Sequence, residues 1–205
     1  MKNHSAWLNL NVIAGLCAAL AAATAVAADH PAGKSASSQV KRGEQLVATH
    51  GCHDCHTPLK MGRNGPEPDM SQMLAGHPQG LKMPAAPKLD MPWMWAGSAT
   101  NTAFAGPWGI SYAINLTPDT ESGIGKWKVD EFVKALKTGR HLGVGRPIMP
   151  PMPWQGYGRL SDAELRAMFA YLQSVPAIRN KVPDYAPPVA SASVPGTAAG
   201  PGGGK

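Results

Sequence analysis

One pentapeptide, Cys52-His53-Asp54-Cys55-His56, constrains this chain of 205 residues more than anything else in it. It is a C-x-x-C-H motif, the attachment signature of a c-type heme. Two thiols one helical turn apart can each add to a vinyl group on the same porphyrin edge, and the next residue turns its imidazole under the iron. The spacing predicts thioether bonds at Cys52 and Cys55, His56 as the proximal iron ligand, and a domain folded around one covalent heme c. Two other chemistries use similar spacing. A redox dithiol of thioredoxin type belongs in a strand-helix context missing here, and half a zinc site needs two more ligands at matching spacing.

The N-terminus agrees with export. Lys2 precedes an apolar stretch from about Leu8 to Val26 that leaves through Ala25-Val26-Ala27-Ala28, so residues 1–28 read as a secretory signal peptide and the mature protein as periplasmic. The stretch approaches the lower length limit for a membrane span, but its alanine content and small-residue exit favour cleavage. Cys17 follows Leu16, where a lipid-attachment site wants a small residue, and so departs with the signal. Cleavage removes Lys2 and takes the net charge from +6 to +5, leaving Cys52 and Cys55 as the mature cysteines. A disulfide between them would close a loop too small to staple a domain.

Residues 29–38 are small and polar and read as a flexible lead-in. Residues 183–205, rich in Pro, Ala, Ser and Gly, read as a disordered tail that cannot bury enough surface to offset chain entropy. The domain is expected over residues 39–182. Three helix signals lie inside it. The first runs from about Ser38 to Ala48 with Val40, Leu46 and Val47 on its apolar side. In the second, Val129, Phe132, Val133 and Leu136 recur at helical spacing, with Gly139 past the end and Lys128 as a poor N-cap. The third opens with a capping box, Ser161-Asp162-Ala163-Glu164, and carries Leu165, Met168, Phe169 and Leu172 as one stripe. From Thr57 to Leu116 no helical period persists. Alternation at Ile110, Tyr112, Ile114 and Leu116 suggests one short strand. A loop this long must be wrapped around something that partners it, and a large apolar cofactor qualifies.

A sixth iron ligand is offered by Pro150-Pro151-Met152-Pro153-Trp154. A neutral thioether favours ferrous iron and raises the potential. The prolines stiffen the backbone and remove amide donors that would lack partners beside an apolar porphyrin face. Met149 is the rival, and Met152 is preferred because prolines flank it on both sides.

Together these motifs resemble a known family. Gly43 with Leu46, Asn115-Leu116-Thr117-Pro118-Asp119, Gly123-Ile124-Gly125-Lys126-Trp127, Phe132, Gly139, Pro151-Met152-Pro153-Trp154 and Ala170-Tyr171-Leu172 look like one heme domain of the cytochrome subunits that serve membrane-bound alcohol and gluconate dehydrogenases. The similarity spans about Lys41 to Lys181. It implies an all-α class I cytochrome c fold, here with a long Pro/Gly/Met-rich loop wrapping the heme, and His56 and Met152 as axial ligands. It also implies Gly43 at a close crossing of the first and last helices, with Tyr171 or Phe169 filling the contact. The activity implied is single-electron transfer from a periplasmic dehydrogenase toward a terminal oxidase or another cytochrome. Those subunits usually string three heme domains together and end in a membrane-anchoring helix, whereas this sequence has one C-x-x-C-H. A free carrier or a small partner of a membrane complex is therefore expected.

A peroxidase-type heme enzyme would need an open iron position with an acid-base group above it, so Met152 would have to dissociate. A gas or redox sensor would be expected to carry a fused signalling domain, and the sequence shows none. Trp108, Tyr112, Trp127 and Arg146 are candidates to contact heme propionates or close the pocket. His53 should face away from the iron, and His77 reads as a loop residue. Six methionines between Met61 and Met94 could offer soft ligands to cuprous ion, although methionine also fills irregular gaps. Ten Lys or Arg against four Asp or Glu between Lys126 and Lys181 could steer docking to an acidic redox partner. Nucleic acid is a poor partner for an exported chain without a recognition motif.

Overall fold

A computed structural model describes residues 32–188. The predicted signal peptide and most of the predicted C-terminal tail lie outside the described residues. Among the described residues there are five α-helices: α1 (Ala32–Thr49), α2 (Cys52–His56), α3 (Val129–Thr138), α4 (Trp154–Tyr157) and α5 (Asp162–Leu172). Helix α1 starts at Ala32, so part of the stretch read as a flexible lead-in is helical.

The core forms where three amphipathic faces meet. Leu46 and Val47 of α1, Phe132 and Leu136 of α3, and Leu165 and Leu172 of α5 are all buried in one cluster. The apolar stripes seen in the sequence are the faces that meet. Helix ends follow local chemistry. Ser161 Oγ accepts from Glu164 N at 3.3 Å while the Glu164 carboxylate accepts from Ser161 N at 3.0 Å, a complete capping box. At α3 the Glu131 carboxylate accepts from Lys128 N at 2.8 Å, which supplies half a box where the N-cap residue has no acceptor of its own. Gly139 ends α3 in the left-handed conformation.

The expectation of an all-α fold with one long loop is overturned. Residues 57–116 contain two antiparallel sheets. Strands β1 (Leu59–Gly62) and β2 (Gly65–Pro68) form a hairpin. A second sheet orders β3 (Ala96–Gly97), β4 (Ala103–Gly106) and β5 (Gly109–Tyr112) side by side. Both hairpins close through two-residue loops, pairing Gly62 with Gly65 and Gly106 with Gly109, and Gly65 and Gly109 supply the positive φ. The strands escape detection because they are short and built from Ala, Gly and Pro, residues poor in strand propensity that leave no period-2 pattern. Only β5 overlaps the alternation read from Ile110 onward.

The segment after the last helix is also more ordered than expected. Ile110 and Ala186 exchange backbone hydrogen bonds at 2.8 and 3.0 Å, and the Tyr185 hydroxyl donates to Trp108 O. Ala186, in the stretch placed in the tail by composition, thus forms an isolated antiparallel bridge to β5.

At Gly43, α1 meets α5. A Cβ built there would lie 1.9 Å from Ala167 O and 2.9 Å from Tyr171 Cβ, so only hydrogen fits. Gly43→Ala should lower the unfolding free energy by about 1–3 kcal/mol through overpacking. A denaturant titration of the purified protein checks this, and an unchanged midpoint would contradict the close crossing.

Candidate functional site

Helix α2 is five residues long and holds the whole motif. Gly51 precedes it in the left-handed conformation, and Thr57 N bonds back to His53 O to close it. One face of this turn looks into a deep cleft of about 1330 Å3, open mouth included. Cys52, Cys55 and His56 line one wall. Phe104 and Ser111 of the second sheet, Leu136 of α3 and Met168 of α5 line others, and Met149 and Met152 both reach the cavity.

The His56 imidazole is buried, and its Nδ1 lies 2.8 Å from Ile114 O. A carbonyl can only accept, so Nδ1 carries the proton and Nε2 keeps its lone pair. Among the described residues no group bonds Nε2, and the ring lines the cleft. Burial pushes its pKa down, against the smaller upward pull of the Ile114 carbonyl, so the ring stays neutral as a metal ligand must.

The thiols behave differently from those of a redox pair. Burial pushes Cys52 up to about 12, and burial followed by the Asp54 charge pushes Cys55 up as well. Reactive dithiols need thiolate near neutral pH, which this setting opposes. Among the described residues no group of three or more His, Cys, Asp or Glu could hold a metal ion, so the zinc alternative has no donor set. A wide apolar cleft, a neutral histidine with a free nitrogen and two thiols on one turn fit a covalent heme.

The structure brings Cys52, Cys55, His56 and Met152 to one cavity. It brings Met149 there too, but of the two methionines Met152 packs against the core cluster. Tyr112, Trp127 and Arg146 of the propionate candidates also line the cleft, whereas Trp108 stands outside it and donates from Nε1 to Ser111 Oγ at 3.2 Å. His53 bonds Thr57 Oγ1 through Nδ1 at 3.0 Å and takes no part in the lining. His77 is fully buried with both nitrogens engaged, Nδ1 with Thr102 Oγ1 and Nε2 with Leu81 O, each at 2.9 Å. Of the six methionines of this stretch, Met61, Met70, Met91 and Met94 are exposed, Met91 and Met94 line one shallow pocket, and Met73 packs on the core.

Several participants left no mark in the sequence. His141 lines the cleft edge-on to Trp127, with ring centroids 5.0 Å apart. Tyr157 lines it as well and donates to His50 O at 2.9 Å, and burial, followed by the nearby thiols, raises its hydroxyl to about 12. Pro183 and Tyr185, from the stretch read as tail, complete one wall. The paired positive-φ turn signals at Gly65 and Gly109 could have exposed the hairpins; nothing in composition points to Tyr185.

Comparison with known proteins agrees with this geometry. The family model described as cytochrome c matches residues 40–176. The chain is 31% identical over 153 residues to the cytochrome c subunit of a quinone alcohol dehydrogenase from Gluconobacter oxydans (strain 621H), covering 73% of this chain and 25% of that protein. It is 29% identical over 135 residues to a fructose dehydrogenase cytochrome subunit from Gluconobacter japonicus, covering 66% and 21%. It is 33% identical over 132 residues to a gluconate 2-dehydrogenase cytochrome c subunit from Pantoea cypripedii, covering 64% and 22%. The chain therefore spans about a quarter of the length of these relatives or less. No described helix is long and apolar enough to cross a membrane.

The setting of His77 gives a pH signature. Burial lowers its pKa below the ordinary 6.5, against the upward pull of the Leu81 carbonyl. The unfolded chain therefore binds a proton first as pH falls, so the contribution is complete above about pH 6.5 and is lost as pH drops below it. Stability measured by denaturant should fall on acidification below that point. His77→Gln should flatten that slope, and an unaltered slope would contradict the assignment.

Proposed function

The chain belongs to the cytochrome c family, and from that premise we propose that it is a periplasmic monoheme electron carrier with no reaction of its own beyond the change in iron oxidation state. The observation that carries the reading is the His56 imidazole, held neutral by burial and aimed into an apolar cleft by the Ile114 carbonyl. Cys52 and Cys55 would hold the heme through thioethers, His56 Nε2 would be the proximal ligand, and Met152 Sδ the distal one. The bound heme supplies a one-electron couple at its iron.

The protein does the rest. Apolar walls from Phe104, Leu136 and Met168 exclude water, and two neutral ligands on fixed elements need little rearrangement when charge changes. The open mouth leaves room for an edge near solvent, where a partner can accept or donate. We take the donor to be a periplasmic dehydrogenase and the acceptor a terminal oxidase or another cytochrome, by likeness to the subunits named above. Domain boundaries at 39–182, with Ala186 beyond them bridged to Ile110, and export through residues 1–28, complete the proposal. The excess of Lys and Arg suits an acidic docking partner, so transfer rates should fall as salt rises.

The ligand assignment is tested by two variants of the purified ferric protein. Met152→Ala should abolish the near-infrared sulfur-to-iron band and lower the reduction potential, and should open the iron to carbon monoxide after reduction. Met149→Ala should leave all three nearly unchanged. The opposite pattern would move the ligand three residues, and rapid peroxide turnover by a protein that never shows the band would favour a peroxidase-type enzyme.

A further inference from the structure

The segment Met149–Pro153 has an unusual problem. Pro150, Pro151 and Pro153 have no amide hydrogen, so the segment can donate only through Met149 and Met152, and neither amide bonds another element among the described residues. Its carbonyls bond locally, Met152 O to Trp154 N and Pro153 O to Gly156 N. One bond reaches outside the loop: Ser111 Oγ donates to Pro150 O at 2.5 Å.

Ser111 is well placed to act as that tether. It lies on β5, is 6% exposed, and lines the cleft beside Tyr112. Its hydroxyl has one proton and two nearby carbonyls. Pro150 O at 2.5 Å outcompetes Phe104 O at 3.4 Å. Trp108 Nε1 donates to the same oxygen at 3.2 Å, occupying a lone pair and turning the proton toward Pro150. The pair Ile110 and Ala186 ties the same strand to the C-terminal segment, so the anchor itself is braced. Pro150 sits between the rival methionines, one residue after Met149 and two before Met152, and fixing its carbonyl fixes which sulfur can face His56 across the cavity.

We propose that Ser111 is the positioning residue of the distal methionine loop, holding Pro150 so that Met152 and not Met149 is presented to the iron. The proposal rests on the methionine-ligated reading above and adds to it the hairpin β4–β5, which the sequence concealed. A hydroxyl that tethers a loop contributes like any other buried hydrogen bond, so its loss should raise the fraction of protein with the methionine detached by about fivefold.

The test uses the heme-loaded, purified protein and its Ser111→Ala, Ser111→Thr and Trp108→Phe variants. The readouts are covalent heme content, the pH at which the ferric sulfur-to-iron band disappears, and the reduction potential. Ser111→Ala should keep its heme but lose the band at a pH lower by most of a unit, matching the fivefold change, and should show a lower potential. Ser111→Thr, which keeps the hydroxyl, should restore wild-type values. Trp108→Phe, which leaves the hydroxyl but not its orienting donor, should shift the band in the same direction by less. If Ser111→Ala fails to accumulate, the Trp108→Phe shift carries the decision. An unchanged band and potential in the alanine and phenylalanine variants, with the band present in wild type, would overturn the role of Ser111 alone. Absence of the band from wild type would overturn methionine ligation and the proposal with it.

Discussion

A single hydrogen bond organises the molecule: the imidazole of His56 donating from Nδ1 to the Ile114 carbonyl. It fixes the tautomer, presents the other nitrogen to the cleft, and joins the attachment helix to the chain leaving β5. The surroundings defend it. Gly76 N donates to the His56 carbonyl at 2.8 Å and His77 N to Ala113 O at 3.0 Å, so the loop after the motif is stitched to the same stretch of backbone. Thr57 Oγ1 accepts from Leu74 N at 3.0 Å, and Asn180 reaches from beyond α5 to the carbonyls of Ala75 and His77. Every element that frames His56 is thereby tied to at least one other.

This arrangement suits a group that must not move when its charge changes. A neutral ring, an apolar wall and a stiff proline-rich loop each reduce the polar rearrangement that would accompany oxidation or reduction. On the proposed reading, Met152 would occupy the iron position that acid-base chemistry needs open.

The heme motif and the three helical stripes were legible because each depends on local spacing: two thiols per turn, apolar residues every three or four positions, and a capping box around Ser161. The crossing at Gly43, whose partners Ala167 and Tyr171 lie far along the chain, came only from the family resemblance. The sheets were not, because their strands are short and built from Ala103-Phe104-Ala105-Gly106 and similar runs whose pairing is fixed by turn glycines instead of alternation. The role of residues 183–188 was equally hidden. Tyr185 lies in a composition that reads as solvated tail, and its order comes from long-range pairing with Ile110 and Trp108. Ser111 and Asn180 are small polar residues whose use is set by partners far along the chain, 39 residues away for Ser111 and Pro150 and 105 for Asn180 and Ala75.

The central claim is that porphyrin is bonded through sulfur to Cys52 and Cys55, above the imidazole of His56. Purified protein denatured in acidified organic solvent decides it. The account predicts that the red pigment stays with the polypeptide, on a peptide containing residues 52–56. Pigment that extracts into the solvent, or protein that carries none, would contradict it.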